Sequence, residues 1–165
     1  MSQTSFWRAE IWHPLSVHFP IALLIIATLT KVIVLILKNE QKAIWQKAGS
    51  GLLYIGCLSA WIAIYTGDMA DGVVARKICD PTILKDHEIA SYNLAYLFTA
   101  ASLLDLGLLL NFIQGKILKP MQYLVVLLSL IGASYLVYTG HLGATLVYQQ
   151  GAGVIKPSFD CSDFQ

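Results

Sequence analysis

Four long apolar stretches constrain this 165-residue chain more than any other feature. They lie at residues 15–37, 48–66, 89–113 and 121–140. A helix rises about 1.5 Å per residue, so roughly 20 residues cross the ~30 Å hydrocarbon core of a bilayer. Only a helix satisfies its own backbone hydrogen bonds in lipid. Because short loops join the stretches, we predict one all-α domain over residues 1–165, an antiparallel bundle of four transmembrane helices with a C-terminal extramembrane tail.

The composition agrees with a chain that lies in a lipid bilayer. Charged residues make up 13% of the sequence, about half the usual fraction of a globular domain. No basic patch or glycine-rich phosphate loop is present, which argues against nucleic acid or a nucleotide as a partner. The sequence shows no clear internal repeat.

Lysines in two short loops indicate the orientation of the chain. The loops at 38–47 and 114–120 hold five lysines and a single acid, Glu40. The positive-inside rule places these loops in the cytoplasm and both termini outside, in the periplasm or exterior. The 68–88 loop then faces the periplasm as well.

Histidines occur at the ends of the apolar stretches, and the topology places all four on the periplasmic face: His13, His18, His87 and His141. Imidazoles are expensive in lipid and are good ligands for zinc, copper, iron and haem. Asp68 and Glu88 lie at the same level and could ligate a metal or orient an imidazole. Four imidazoles on one layer therefore predict a cofactor site.

The leading prediction is a b-type cytochrome with one or two non-covalent haems near the periplasmic face. One haem would use two of the histidines and two haems would use all four. His18 and His141 are the strongest candidates, followed by His87, because Pro14 suits the first turn of a helix and would leave His13 at the helix mouth. No C-x-x-C-H motif occurs, which excludes covalent c-type haem. Electrons would pass between a membrane quinol and a periplasmic redox protein.

Two other readings stay open at this point. The first is a zinc, copper or iron site for transport or catalysis, built from three or four of the histidines with Asp68 or Glu88. The second is a structural subunit of a membrane complex, whose histidines only form hydrogen bonds at the membrane interface. No nucleophile–base arrangement indicates a particular enzymatic reaction.

Two further pairs of residues are predicted from their positions. Lys31 and Asp105 lie at similar depth in the first and third stretches, so they are expected to form an intramembrane ion pair. Cys79, in the 68–88 loop, and Cys161, in the tail, are both predicted to be periplasmic, where a disulfide between them would persist.

Several motifs resemble those of a bacterial multi-pass membrane family, domain of unknown function 2231. The opening run is His13-Pro14-Leu15-Ser16-Val17-His18-Phe19-Pro20, and the later motifs are Gly67-Asp68, His87 with Asn93, Thr139-Gly140-His141-Leu142-Gly143, Leu146-Val147-Tyr148 and Gly151-x-Gly153-Val154. One departure is Ala144, where the family usually has a second glycine. Members of this family are similar to, and sometimes joined with, redox modules such as cytochrome c or Rieske-like domains. The resemblance therefore implies electron transfer.

Overall fold

The computed structural model describes residues 8–154, and the regular structure within them is helical. The main helices are α1 (Ala9–Ser16), α2 (His18–Ile36), α3 (Asn39–Val74), α4 (Pro81–Leu109) and α5 (Leu118–Gln150). A short 3-10 turn at Gly115–Ile117 precedes α5. No strand occurs among the described residues.

Within that part of the chain, four helical segments are long and apolar enough to cross a membrane. The first consists of α1 and α2 together, and the others are α3, α4 and α5. Neighbouring helices are antiparallel, because residue numbers rise along one helix as the numbers of the residues in contact with it fall along the next. His13 and Lys31 contact α3 at Ala63 and Ser50, respectively. The same reversal relates α4 to α5. The predicted all-α, four-helix membrane protein is confirmed, and its helices form an antiparallel bundle.

The helices differ in length from the apolar stretches that predicted them. α3 begins at Asn39 and ends at Val74, and α5 runs to Gln150, because the polar sequence that flanks these stretches continues to form helix outside the hydrocarbon. α4 ends earlier than its stretch, at Leu109. Asn111 has a left-handed φ of 59°, and the Phe112 N–H donates to the Gly107 carbonyl at 2.9 Å, an arrangement that closes a helix C-terminus.

Asp80 caps the N-terminus of α4. Its Oδ1 accepts hydrogen bonds from the hydroxyl and the backbone N–H of Thr82, at 2.6 and 2.9 Å. These two bonds favour the carboxylate, so they lower the pKa of Asp80. The cap fixes the point at which α4 begins, at Pro81, six residues before His87.

The prediction that Pro14 lies in the first turn of a helix is wrong. α1 begins at Ala9, so Pro14 lies inside α1 and His13 lies more than one turn from its start. The helix is interrupted instead at Val17, between α1 and α2. Pro20 has no N–H to donate to the Ser16 carbonyl, and this missing bond coincides with the interruption.

Small residues bring the helices close together in the core. A Cβ atom at Gly56 on α3 would lie 2.7 Å from Leu24 on α2, and one at Gly132 on α5 would lie 2.8 Å from Phe98 on α4. Leu24 and Phe98 are fully buried. In lipid, such close packing replaces the hydrophobic effect as the force between helices. Two tightly packed units result, one of α1, α2 and α3 and the other of α4 and α5.

A buried ion pair lies at the end of the bundle that contains the short lysine loops. Lys31 Nζ lies 2.5 Å from Asp105 Oδ1, and the two side chains are 3% and 1% exposed. Lys31 also donates to Ser50 at 2.8 Å. Asp105 accepts further hydrogen bonds from Tyr54 at 2.9 Å and Gln46 at 3.2 Å. Residues of α2, α3 and α4 thus share one buried polar network, as the similar depth of the two charges predicts.

Removal of one charge of this pair is expected to destabilise the bundle. Asp105→Leu leaves the Lys31 ammonium without its counter-ion, and breaking a buried pair costs about 3–5 kcal/mol. Lys31→Met combined with Asp105→Leu should recover much of that loss, since neither charge then remains. Thermal unfolding of the detergent-purified variants measures both effects, with exposed Lys38→Met as the control. A single Asp105→Leu variant as stable as the wild type would contradict this role.

Candidate cofactor-binding site

A cavity of about 590 Å³ opens at the other end of the bundle. This volume lies within the range of about 300–1,000 Å³ typical of small-molecule and cofactor sites. Residues from every spanning helix line it, and most of them are apolar, among them Val17, Ile64, Leu94, Leu136 and Leu146. The cavity also exposes the imidazoles of His13 and His87.

His13 and His87 approach each other from different helices across this cavity. Their ring centroids are 6.0 Å apart and their planes are 86° apart. His13 Nδ1 lies 2.9 Å from the carbonyl oxygen of Ala63 on α3, and His87 Nδ1 lies 3.0 Å from that of Thr139 on α5. A carbonyl can only accept, so each Nδ1 carries a proton, and in the neutral imidazole each Nε2 carries a lone pair. Neither Nε2 has a hydrogen-bond partner in residues 8–154, which leaves both lone pairs for a ligand.

A glycine makes each of these hydrogen bonds sterically accessible. Gly67 follows Ala63 by four residues, and Gly143 follows Thr139 by four. Helical side chains point towards the N-terminus, so the side chain at position i+4 lies over the carbonyl of residue i. A Cβ atom at Gly67 would lie 3.1 Å from the His13 ring, and one at Gly143 would lie 3.2 Å from the His87 ring. Glycine therefore clears the space through which each imidazole reaches the backbone.

The two histidine sites repeat one arrangement in the two halves of the chain. Each histidine lies on the first spanning helix of its half and bonds to a carbonyl on the second, 50 residues later for His13 and 52 for His87. Sequence analysis missed this repeat because only the histidine and the glycine recur, and their separation differs by two residues between the halves. A search for a histidine followed by a glycine at a similar but not identical separation could have found it.

His18 and His141 are exposed and do not line the cavity. His18 follows His13 by five residues, which places it about 140° around a helix. His141 follows Thr139 by two residues, about 200° around α5. The structure therefore brings together His13 and His87 and leaves the two strongest sequence candidates on the outer surface.

The two predicted acidic residues lie at the rim of the cavity and contact other partners. Asp68 accepts a hydrogen bond from the Tyr92 hydroxyl at 3.1 Å, and Glu88 pairs with Lys85 at 2.8 Å. Within the described residues, no three histidine, cysteine or acidic side chains are close enough together to hold a metal ion. The geometry thus provides two imidazoles, whereas the zinc, copper or iron reading requires three or more protein ligands.

Only one of the two cysteines of the predicted disulfide lies within the described residues. Cys79 is exposed in the turn between α3 and α4, where its N–H and that of Asp80 each donate to Gln150 Oε1 at 3.2 Å. Cys161 lies outside the described residues. The Cys79–Cys161 bond therefore stays a prediction.

Comparison with known proteins identifies the family of the chain. A family model described as predicted membrane protein (DUF2231) matches residues 11–156. The chain belongs to this family. The match contains His13, His87 and both of their glycines. The searches found no similar curated protein and no similar solved structure.

The hydrogen bonds to Ala63 and Thr139 predict the tautomer of both cavity histidines. In protein labelled with ¹⁵N-histidine, the His13 and His87 signals should show a protonated Nδ1 and an unprotonated Nε2. The reason is that a carbonyl oxygen accepts a hydrogen bond from each Nδ1–H. NMR in detergent measures this, and His13→Ala and His87→Ala assign the signals. Protonation at Nε2 in either residue would contradict the arrangement.

Proposed function

We propose that this protein is a membrane-embedded b-type cytochrome that holds one haem between His13 and His87. The observation that carries the proposal is the pair of imidazoles with free Nε2 lone pairs. Two imidazoles that would bind one iron through nitrogens about 2 Å from it have ring centroids at most about 6 Å apart. The centroids of His13 and His87 are 6.0 Å apart.

The surroundings of the two imidazoles suit a haem. The cavity is far larger than a single ion needs and is mainly apolar, as the faces of a porphyrin require. A histidine that binds a metal normally donates its second N–H to a carbonyl or carboxylate, and the Ala63 and Thr139 carbonyls would serve as these acceptors for His13 and His87.

Haem supplies one-electron redox chemistry when it is bound. His13 and His87 would both bind its iron, which would leave no coordination position for oxygen or a substrate. The residues of the chain hold the imidazoles in one tautomer and fix the distance between them. Such an arrangement favours electron transfer over catalysis at the iron.

The membrane location suggests the partners of this electron transfer. The lysine-rich loops lie at the end of the bundle opposite to the cavity, so the positive-inside rule puts the cavity near the periplasmic face of the inner membrane. A quinol in the bilayer is then an accessible electron donor, and a periplasmic redox protein an accessible acceptor. Members of this family are similar to, and sometimes joined with, redox modules such as cytochrome c or Rieske-like domains, and this supports electron transfer as the function.

Spectra of the detergent-purified protein test the proposal, and histidine variants locate the ligands. The oxidised and dithionite-reduced wild type should show a Soret band that sharpens on reduction, with one iron per chain. His13→Ala and His87→Ala should each lose this bis-histidine spectrum, while His18→Ala and His141→Ala, which change exposed imidazoles, should keep it.

Each other outcome of these spectra is decisive. Loss of the spectrum in His18→Ala or His141→Ala, with retention in His13→Ala, would move the haem to the exposed histidines. A colourless wild type from haem-replete cells would overturn the cytochrome. Stoichiometric zinc, copper or iron in that sample would favour a non-haem metal site, and a metal-free sample would favour a structural subunit.

Haem binding should also depend on the glycine beside His13. Gly67→Val puts a branched side chain where even a Cβ atom would lie 3.1 Å from the imidazole, so the ring should lose its carbonyl partner and the haem content should fall severalfold. Gly72→Val is the matched control, because nothing lies within 4 Å of a Cβ atom there. The ratio of Soret to protein absorbance in the purified variants measures the effect. Equal haem in both variants would contradict the steric role of Gly67.

A further inference from the structure

Two hydroxyl groups lie next to the hydrogen bond that orients His13. Thr66 Oγ1 lies 2.9 Å from the carbonyl oxygen of Ala63, the same atom that accepts from His13 Nδ1. Thr66 Oγ1 also lies 2.8 Å from Ser16 Oγ, which in turn lies 2.9 Å from the carbonyl oxygen of His13. The hydroxyls thus connect the acceptor of the imidazole to the backbone of the same histidine.

These three hydroxyl contacts share only two protons. A hydroxyl has one proton to donate, and a carbonyl oxygen can only accept. The pair therefore has alternative arrangements. In one, Thr66 donates to Ala63, and the carbonyl serves two side-chain donors, Thr66 and His13. In the other, Thr66 donates to Ser16 and Ser16 donates to the His13 carbonyl, so that the imidazole is the only side-chain donor to Ala63.

No such pair adjoins the other histidine. Ser91 donates to the His87 carbonyl at 2.7 Å, but no hydroxyl in the described residues donates to the Thr139 carbonyl that holds His87. The two imidazoles therefore differ in the hydroxyl contacts of their carbonyl acceptors, although their positions repeat.

We propose that the Ser16–Thr66 hydroxyl pair sets the strength of the His13 hydrogen bond and thereby the reduction potential of the haem. This inference rests on the proposed function. Two hydrogen bonds to one carbonyl oxygen weaken each other. A hydrogen bond from Thr66 to the Ala63 carbonyl therefore weakens the hydrogen bond from His13 Nδ1 to the same atom. A stronger Nδ1 bond makes the imidazole more basic, and a more basic ligand stabilises ferric over ferrous iron. Ser16 and Thr66 are positioning residues, since they act on the metal through His13.

The two hydroxyls are expected to act with opposite sign. Thr66→Val removes the competing donor, so the His13 bond strengthens and the midpoint potential falls. Ser16→Ala leaves Thr66 with Ala63 as its remaining acceptor, so the His13 bond weakens and the potential rises. Spectroelectrochemical titration of the haem-loaded variants measures both shifts. Thr145→Val and Ser134→Ala are matched controls, because each hydroxyl is exposed and donates to its own helix, and their potentials should equal that of the wild type.

A second measurement separates this inference from the cytochrome itself. In haem-free, ¹⁵N-histidine-labelled protein, the His13 Nδ1–H proton should move downfield in Thr66→Val and upfield in Ser16→Ala. Unchanged potentials in haem-loaded variants, or shifts of equal sign, would overturn the inference and leave the cytochrome standing. A wild type that binds no haem would overturn the cytochrome, and an unchanged His13 proton signal would then overturn the role of the hydroxyls as well.

Discussion

The candidate site depends on two hydrogen bonds from imidazole nitrogens to helix carbonyls. A carbonyl within a helix already accepts the N–H of the residue four positions later, but it has a second lone pair. A side chain at that later position would cover this lone pair. Gly67 and Gly143 leave it open, and His13 and His87 use it from a neighbouring helix. In lipid these bonds also satisfy nitrogens that would otherwise have no water to bind.

The same requirement for polar partners organises the opposite end of the bundle. Lys31 and Asp105 would each be costly alone in hydrocarbon, and together they draw Ser50, Tyr54 and Gln46 into one network. Hydrogen bonds of Trp61 with Thr99 and of Tyr92 with Asp68 continue along the contact between α3 and α4. Polar contacts thus join the two halves of the bundle together with one apolar cluster, which includes Leu24, Leu53 and Phe98, and small residues pack the helices closely within each half.

The arrangement of the halves explains how a small chain could hold a large cofactor. Each half brings one histidine to the cavity, and each supplies the carbonyl and the glycine for its own histidine. The orientation of each imidazole is thus set within its own half, and the packing of the halves sets the distance between the two rings. The hydroxyl pair at Ser16 and Thr66 breaks this repetition on one side. The surroundings of the two imidazoles differ for that reason.

Predictability from the sequence varied from residue to residue. The length and hydropathy of the apolar stretches were enough to predict four spanning helices, because a helix must be long enough to cross the hydrocarbon. The depth of the two charges was enough to pair Lys31 with Asp105, because an unpaired charge is costly in lipid. The ranking of the histidines was not accessible in this way. It relied on a helix that begins at Pro14, whereas α1 begins at Ala9 and carries His13 inwards. His18 and His141 lie at a similar level but on outward faces.

The amino-acid pattern alone was enough to establish the class of the protein, the number of its spans and the end of the bundle that contains its histidines. Those properties follow from the cost of polar groups in hydrocarbon, which depends on composition and position along the chain. The pairing of His13 with His87 came from the packed helices, because it depends on the rotation of each helix about its axis. Rotation is fixed by packing such as Gly56 against Leu24 and Gly132 against Phe98, which no single helix contains.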